Sequence, residues 1–207
     1  GHYATMLKDG NKLRFYYRGD KNPGAHWRDG WGRYHEGEVT LYAESTDGGI
    51  NWNEPDLGIL KVPEIPKGNV VLDMGPDTFL VTHNFTPFID ARPGVPASER
   101  YKGVGGGRYP AENWGGWKTK DARKKLREKY GVGGLRVFAS PDGFNWRILK
   151  QEPILTEDQG NFDSQNVAFW SAAEQQYVCY YRIMRGGVRS IRRSTSKDFL
   201  NWTEPVE

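Results

Sequence analysis

The stretch STDGGINW at residues 45–52 closes a strand-like run, and the chain repeats the pattern as SPDGFNW at 140–146 and SKDFLNW at 196–202. In each copy a serine is followed by an aspartate and then by a tryptophan. The Ser or Asp side chain can accept hydrogen bonds from backbone N–H groups two or three residues on, which closes a tight turn. The tryptophan supplies a large apolar anchor between neighbouring sheets. A repeated turn of this kind, similar to the Asp-box repeat, predicts a repeated supersecondary unit.

Short runs with alternating apolar side chains precede each turn. Examples are LRFYYR at 13–18, EVTLYAES at 38–45 and FLVT at 79–82. They are bounded by glycine, proline or charged residues, which is typical of β-strands. An inner strand, a middle strand and an outer strand leading to the turn give the layout of a β-propeller blade.

The sequence therefore predicts an all-β fold, a single partial β-propeller domain over residues 1–207 with about three blades, at about 1–54, 76–149 and 160–205. Propellers typically have roughly four to eight blades. Three blades therefore suggest that further blades come from a longer chain or from a partner subunit. Between the second-blade strands, residues 118–130 contain good helix formers and no proline or glycine, so we expect a short, solvated helix there. Its seven Lys and Arg residues leave a nucleic-acid surface as the less favoured alternative.

The composition agrees with an all-β protein and excludes several other classes. Aromatic residues make up 14% of the chain and there are 26 glycines, whereas long apolar runs are absent. The net charge of +3 is too balanced to indicate a nucleic-acid partner, and no stretch approaches the roughly 18 apolar residues of a membrane span. A single cysteine, Cys179, rules out an intrachain disulfide. For location, the sequence slightly favours a secreted or periplasmic protein over a cytoplasmic one.

Three segments carry a family resemblance: HNFTPFID at 83–90 with ERYKG at 99–103, FDSQNVAFW at 162–170, and STSKDFLNW at 194–202. They resemble bacterial proteins related to the family 32 and family 43 glycoside hydrolases. The resemblance implies a five-bladed propeller with a funnel-shaped active site on its axis, carboxylates supplied by the inner strands of different blades, and no cofactor. By position, Asp90 matches the aspartate that orients the substrate, and Asp163 occupies the place of the acid.

The chain also departs from the family pattern. It contains no Asn-Asp-Pro-Asn segment. Phe88-Ile89-Asp90 stands where the family has Arg-Asp-Pro, and Phe162-Asp163-Ser164 stands where it has Glu-Cys-Pro. The first catalytic carboxylate has no candidate and is expected before Gly1. An Asp in place of a Glu is shorter by one methylene, so its backbone would have to lie closer to the scissile bond for the carboxyl group to contact it.

Glycoside hydrolysis needs two carboxyl groups flanking the scissile bond, roughly 5–5.5 Å apart for retention and about 6.5–9.5 Å for inversion. Asp90 and Asp163 are the catalytic candidates, and the alternative for each is a turn cap. The candidates for substrate binding are polar or charged residues close to these two in sequence: His83, Asn84, Gln165, Asn166, Arg100 and Arg182.

Structural roles compete with each of these assignments. A histidine can be satisfied within the sheet, Arg100 can form a surface pair with Glu99, and Arg182 ends a Tyr-Tyr-Arg run that also occurs at Arg18, which favours a role between blades. The four histidines lack metal-ligand spacing, so no metal is expected. Residues 22–38, with Trp27 and Trp31, are either a stacking platform for sugar rings or a packing loop.

We therefore expect a glycoside hydrolase-like enzyme that cleaves a poly- or oligosaccharide with paired carboxylates at the propeller axis. The alternative is a non-catalytic propeller module that binds glycans or assembles with partners. A sialidase relative is a third, weaker possibility, because the turn at 45–52 also occurs in that class.

Overall fold

The computed structural model describes residues 3–21, 37–73, 75, 78, 80–107 and 120–206, with the side chains of residues 120–123 left undescribed. These residues form three antiparallel sheets. The first sheet has the order β1-β2-β3-β4, and its strands are β1 (Ala4–Asp9), β2 (Lys12–Asp20), β3 (Glu38–Ser45) and β4 (Val70–Asp73).

The second sheet contains the predicted helix as an insertion between two of its strands. Its strands are β5 (Thr86–Ile89), β6 (Tyr101–Gly107), β7 (Gly134–Ser140), β8 (Arg147–Ile148) and β9 (Leu155–Thr156). Both β8 and β9 pair with β7. The helix α1 (Lys120–Tyr130) joins β6 to β7, and Lys124 and Glu128 on it are largely exposed, as the sequence predicts.

The third sheet consists of β10 (Val167–Ser171), β11 (Gln176–Arg185) and β12 (Val188–Ser196), in that order. The chain then returns along β12, where Ser196 pairs with Trp202 and Arg193 with Val206. The first strands of the three sheets lie together, because β5 contacts both β1 and β10. The prediction of an all-β fold built from propeller blades is confirmed.

Two details of the strand prediction are wrong. Residues 80–84 form turns instead of a strand, with Leu80 at a positive φ of 65°. The Ser-Asp-Trp turns also do not end each blade: the turn at 45–52 follows the third strand, and the chain goes on to β4, where Asp73 pairs with Val39. The first sheet therefore extends well beyond the predicted end at residue 54, and its first strand is β1, which was not predicted.

The three turns are built alike. The serine hydroxyl accepts a backbone N–H from Gly49, Gly143 or Phe199, at 2.9 Å in each turn. The aspartate Oδ1 accepts a backbone N–H from Asn51, Asn145 or Asn201, at 2.8–3.0 Å. In the third turn Phe199 holds a φ of 71°, a conformation that favours glycine, and its ring is fully buried between the second and third sheets.

Each internal junction between sheets is closed by one of these turns. Tyr16 in the first sheet donates its hydroxyl proton to the Gly143 carbonyl at 3.1 Å, and Arg14 donates to the Asp142 carbonyl at 2.7 Å. The Trp146 ring follows the same turn and packs against Tyr16 and Phe85, with centroids 6.5 and 4.9 Å away. The predicted tryptophan anchor is therefore present at this junction.

The turn aspartates make the stability of the fold depend on acid pH. Burial by itself raises the pKa of Asp142, but hydrogen bonds from the backbone and side chain of Asn145, from the Phe144 backbone and from Ser140 lower it to about 2, against an ordinary 3.8. The folded-state pKa of Asp142 is depressed, so its ionised carboxylate stabilises the folded state. This contribution to the free energy of unfolding is complete above the ordinary pKa and is lost as the pH falls through about 2.

We therefore expect the free energy of unfolding, measured with urea from about pH 5 down to about pH 2, to fall more steeply in the wild type than in Asp142→Asn. The asparagine keeps an acceptor oxygen but does not titrate. Equal slopes for the two proteins would contradict the assignment.

Candidate functional site

Polar side chains from all three sheets meet at the end of the molecule where β1, β5 and β10 begin, which we call the upper face. Tyr3 donates its hydroxyl proton to the Asp163 carbonyl at 3.3 Å, and Gln165 donates to the Ala4 carbonyl at 3.0 Å. Asn84, just before β5, donates to the Ser164 carbonyl at 2.9 Å. The residues that precede the three inner strands are therefore neighbours in space.

Asp163 forms an ion pair with Arg182 on this face. Arg182 is largely buried on β11, whereas Asp163 is partly exposed. The other carboxylate oxygen of Asp163, Oδ1, is shielded from solvent and accepts no hydrogen bond from any residue that the structure describes. The carboxylate is thus fixed by a cation on one side and has an unused acceptor on the other.

A second charged group on the upper face consists of Arg18, Glu38 and His83. Nδ1 of His83 lies 2.9 Å from a Glu38 oxygen and 2.6 Å from Nη1 of Arg18, and that Nη1 is 3.2 Å from the other Glu38 oxygen. The Glu38 side chain is buried. His83 can donate to Glu38 or accept from Arg18 through Nδ1, depending on its tautomer.

Tyr3 lies between the two groups. Its ring meets the His83 ring edge-on with centroids 5.6 Å apart, and the Arg18 guanidinium lies 5.7 Å from its centroid, while its hydroxyl reaches the Asp163 backbone. Two carboxylates, those of Glu38 and Asp163, therefore belong to one cluster of residues at the upper end of the inner strands.

The amide candidates are occupied in holding the loops together. Asn84 is buried; it accepts the Gly106 N–H at 3.0 Å and donates to the Gly106 carbonyl at 2.8 Å. Asn166 is also buried and donates to the Phe162 carbonyl at 3.2 Å. These contacts give both residues a structural role, and their predicted contact with substrate remains a prediction. Gln165 bridges to β1 through Ala4 and Thr5, and its predicted contact with substrate remains a prediction.

Asp90 lies at the opposite end of its strand, which we call the lower face. Its side chain is fully buried, 2.9 Å from Lys102 Nζ, and accepts the Tyr177 hydroxyl proton at 2.6 Å. Asp90 follows β5, whereas Asp163 precedes β10, and β5 alone spans about 13 Å. The structure does not bring the two aspartates together, so the predicted pair is not present and Asp90 has a structural ion pair instead.

Arg100 is on the lower face as well. It pairs with Asp9 at the end of β1 and donates to the Tyr101 hydroxyl. Arg100 therefore lies away from the upper-face cluster, because its partners are at the other end of the inner strands, and its predicted contact with substrate remains a prediction. The predicted surface pair with Glu99 is made by Arg147 and Lys102 instead.

Three residues of the upper-face cluster were not proposed as site residues from the sequence: Tyr3, Arg18 and Glu38. The sequence did contain a signal for Arg18, because Arg18 and Arg182 each end a Tyr-Tyr-Arg run. The structure shows that the two positions are equivalent. Each arginine lies five residues after the strand residue that pairs with a turn serine, Leu13 in the first sheet and Tyr177 in the third. Glu38 is the last residue of the aromatic segment 22–38 that was considered as a sugar platform. Trp27 and Trp31 of that segment lie outside the described residues.

Within the described part of the chain, no group of three or more His, Cys, Asp or Glu side chains is placed to hold a metal ion. No helix among the described residues is long and apolar enough to cross a membrane.

Comparison with solved structures identifies the fold. A fructofuranosidase from Schwanniomyces occidentalis, complexed with fructosylnystose, matches 98% of the chain with a TM-score of 0.55 at 11% identity. A family 32 β-fructofuranosidase from Bombyx mori, in complex with sucrose, matches all of it with a TM-score of 0.54 at 12% identity. The chain has the fold of a family 32 glycoside hydrolase propeller. A family 117 glycoside hydrolase from Zobellia galactanivorans matches 96% of the chain with a TM-score of 0.52 at 11% identity.

The chain spans only part of these relatives. It covers 33% of the Schwanniomyces protein, 34% of the Bombyx protein and 43% of the Zobellia protein. No protein-family profile matches the sequence, and no curated protein matches it. The likeness therefore establishes the fold, which agrees with the resemblance seen in the sequence.

Proposed function

We propose that this chain carries the axial site of a carbohydrate-active propeller that cleaves glycosidic bonds in a poly- or oligosaccharide. The observation that carries the proposal is the upper-face cluster, where Asp163 and Glu38 stand on either side of Tyr3. The fold supports it, since the solved structures that share it include fructofuranosidases and other glycoside hydrolases. Fold alone does not give function, so it is the residues of the upper-face cluster that support this assignment.

Asp163 is the carboxylate that we assign to the chemistry. The transition state of glycoside hydrolysis carries positive charge on the sugar ring, and a fixed carboxylate can stabilise that charge or act as nucleophile or base. Arg182 holds the Asp163 carboxylate in place on the upper face. We assign this carboxylate to stabilising the charge or acting as nucleophile or base, which differs from the proton-donor role that the family resemblance implies for this position.

Glu38 is assigned a positioning role. It contacts His83 and Arg18, both of which lie against the Tyr3 ring. We assign His83 the role predicted from the sequence, a hydrogen-bonding group for sugar hydroxyls at the upper face. A buried carboxylate bound to both side chains fixes the His83 ring and holds Arg18 in place.

The alternative is a non-catalytic module that binds glycans. It is favoured by one observation, that both carboxylates of the cluster are already engaged in ion pairs. A protein that only binds sugar has no need of a carboxylate in reach of the scissile bond, and ion pairs would then serve to order the surface.

Incubation with a panel of oligosaccharides of different sugars and linkages tests the two functions. We expect release of new reducing ends from at least one member, together with binding measured by calorimetry. Binding without cleavage of any member would replace the enzyme by the binding module. Neither binding nor cleavage would contradict both.

A further inference from the structure

The residue directly before Asp163 has an uncommon backbone conformation. Phe162 holds a φ of 54°, in the left-handed region that non-glycine residues seldom occupy, and its ring is 0% exposed. The ring packs against Tyr181, with centroids 5.0 Å apart, and against Gly160, where a Cβ would lie 2.6 Å from it. Such a conformation persists only where the surroundings enforce it, and such residues cluster at functional sites. The groups that hold Phe162 are therefore candidates for controlling the position of Asp163.

Asn84 of the second sheet binds the backbone on both sides of Asp163. Its side chain is buried, and Nδ2 donates to the Phe162 carbonyl and, at 2.9 Å, to the Ser164 carbonyl. These two carbonyls belong to the residues immediately before and after Asp163 in the chain. One amide group therefore holds the peptide units that flank the carboxylate.

The orientation of the Asn84 amide is fixed by Gly106. Oδ1 accepts the Gly106 N–H at 3.0 Å, and Nδ2 lies 2.8 Å from the Gly106 carbonyl oxygen. Nδ2 therefore faces three carbonyl oxygens with two protons to share, whereas Oδ1 faces a donor. An aspartate in this place would set an acceptor against acceptors, and a serine would supply a single proton. The contacts therefore require an amide.

Glycines in β6 allow Asn84 to approach the sheet this closely. Gly103 and Gly105 face the same side of β6, and the turn formed by residues 80–84 packs over them. A Cβ at Gly103 would lie 2.5 Å from the Phe85 ring, and a Cβ at Gly105 would lie 2.7 Å from a side-chain atom of the turn. The alternating glycines therefore leave room for the turn that carries Asn84.

Other contacts attach the loop of Asp163 to its own sheet. Asn166 donates to the Phe162 carbonyl at 3.2 Å, and the Asn161 N–H donates to the carbonyl of Arg182 on β11 at 3.0 Å. These hydrogen bonds fix the loop within the third sheet. Asn84 adds the connection to the second sheet at the upper face.

Asn84 also relates Asp163 to the other charged group of the upper-face cluster. His83 directly precedes it in the chain and contacts Glu38 and Arg18. Because one turn carries both residues, the backbone that places the His83 ring also places the Asn84 amide, and with it the loop of Asp163. The two carboxylates of the cluster are thus connected through two adjacent residues.

We propose that Asn84 is a positioning residue for Asp163. By binding the carbonyls on both sides of Asp163, it keeps Phe162 in the left-handed conformation, holds the carboxylate against Arg182 and sets its place relative to His83. The expected effect of Asn84 on turnover rests on the proposed function, whereas its link to Asp163 can be measured without a substrate.

A double-mutant cycle on the free energy of unfolding, measured with urea at neutral pH, tests this link. Asp163→Asn removes the partner of Arg182, so it is expected to lower the stability of the wild type. Without Asn84 the loop no longer holds the carboxylate against Arg182, so in Asn84→Ala the same change is expected to cost at most about half as much. Equal costs in the two backgrounds would overturn the proposal. Asn84→Ser, which keeps one donor, takes the place of Asn84→Ala in the cycle if the alanine variant does not fold.

The matched control is Asn69→Ala, which removes an equally buried amide of the first sheet. Asn69 is 1% exposed and donates to the Tyr42 carbonyl at 2.9 Å and to the Tyr17 hydroxyl at 3.4 Å, and neither partner belongs to the upper-face cluster. We expect Asp163→Asn to cost as much in this background as in the wild type. A cost reduced to the same extent as in Asn84→Ala would overturn the link, because the loss of any buried amide would then have that effect.

Steady-state kinetics on the cleaved oligosaccharide test the effect on turnover. Asn84→Ala is expected to lower kcat about tenfold or more with KM nearly unchanged, because a displaced carboxylate stabilises the transition state less, whereas Asn69→Ala is expected to keep the wild-type kcat. In the Asp163→Asn background the loss of Asn84 is expected to leave kcat unchanged, since the group that it positions is already absent. An equal fold-loss of kcat in both backgrounds would overturn the positioning role. No cleavage by the wild type would contradict the proposed function instead, and the unfolding cycle alone would then decide the role of Asn84.

Discussion

Asp163→Asn is expected to lower the turnover of the cleaved oligosaccharide at least about a hundredfold, the usual contribution of an acid–base or nucleophilic carboxylate. The amide has nearly the same shape but carries no charge, so it neither stabilises the positive sugar ring nor activates a nucleophile. It also leaves the largely buried Arg182 without its counter-charge. The measurement is steady-state kinetics on the best substrate from the panel, with kcat and KM determined separately.

The control is Asp158→Asn, an exposed aspartate of the same loop that lies outside the upper-face cluster. We expect its kcat and KM to equal those of the wild type. A change confined to KM in Asp163→Asn would assign the carboxylate to ground-state binding. Unchanged kcat and KM would remove Asp163 from the chemistry.

Lys102→Met is expected to destabilise the fold by about 3–5 kcal/mol, the cost of leaving a buried charge without its partner. Lys102 is 1% exposed; its Nζ is 2.9 Å from Asp90 and 3.0 Å from Glu99. Its ammonium also lies over the Tyr177 and Phe199 rings, 5.9 and 5.7 Å from their centroids, inside the junction between the second and third sheets. Methionine fills a similar volume, so the decrease in the free energy of unfolding reports the lost ion pair and hydrogen bonds more than lost packing.

Arg147→Met provides the matched comparison, because Arg147 binds the same Glu99 at 2.8 Å with its side chain 49% exposed. An exposed pair contributes about 0–1 kcal/mol, so we expect a small effect. Urea unfolding at neutral pH measures both. The double variant Asp90→Asn with Lys102→Met is expected to regain part of the stability, since no buried charge is then unpaired. Equal losses in Lys102→Met and Arg147→Met would show that Asp90 does not depend on Lys102.

Local turn chemistry was predictable from the sequence, because Ser, Asp and Trp at fixed spacing determine the hydrogen bonds within a few residues. The repeat of these turns also predicted sheets of similar build. The helix at 120–130 followed from composition. Strand order beyond the turn was missed, because β4 comes after a long, proline-rich connection and pairs with β3 through only three residue pairs.

The site was only partly predictable. Asp163, His83 and Arg182 do lie together, but Asp90 and Arg100 were placed with them by their order in the chain, without regard to which end of a strand they occupy. Asp90 follows Thr86–Ile89, and Asp163 precedes Val167–Ser171. Since the inner strands lie side by side in the same direction, residues before and after them belong to opposite faces. Glu38 was missed because it belongs to the third strand of its sheet, and only the packing between sheets brings it to His83.

The Ser-Asp-Trp turns project from the lower face, away from the cluster around Tyr3, and the tip of the first turn at Ile50 is exposed. The chain's only cysteine, Cys179, is fully buried, and burial raises the pKa of its thiol. A cysteine introduced at Ile50 would therefore be the single reactive thiol of the chain. It provides a defined attachment point for a fluorophore or a solid support that leaves the upper face open to solution.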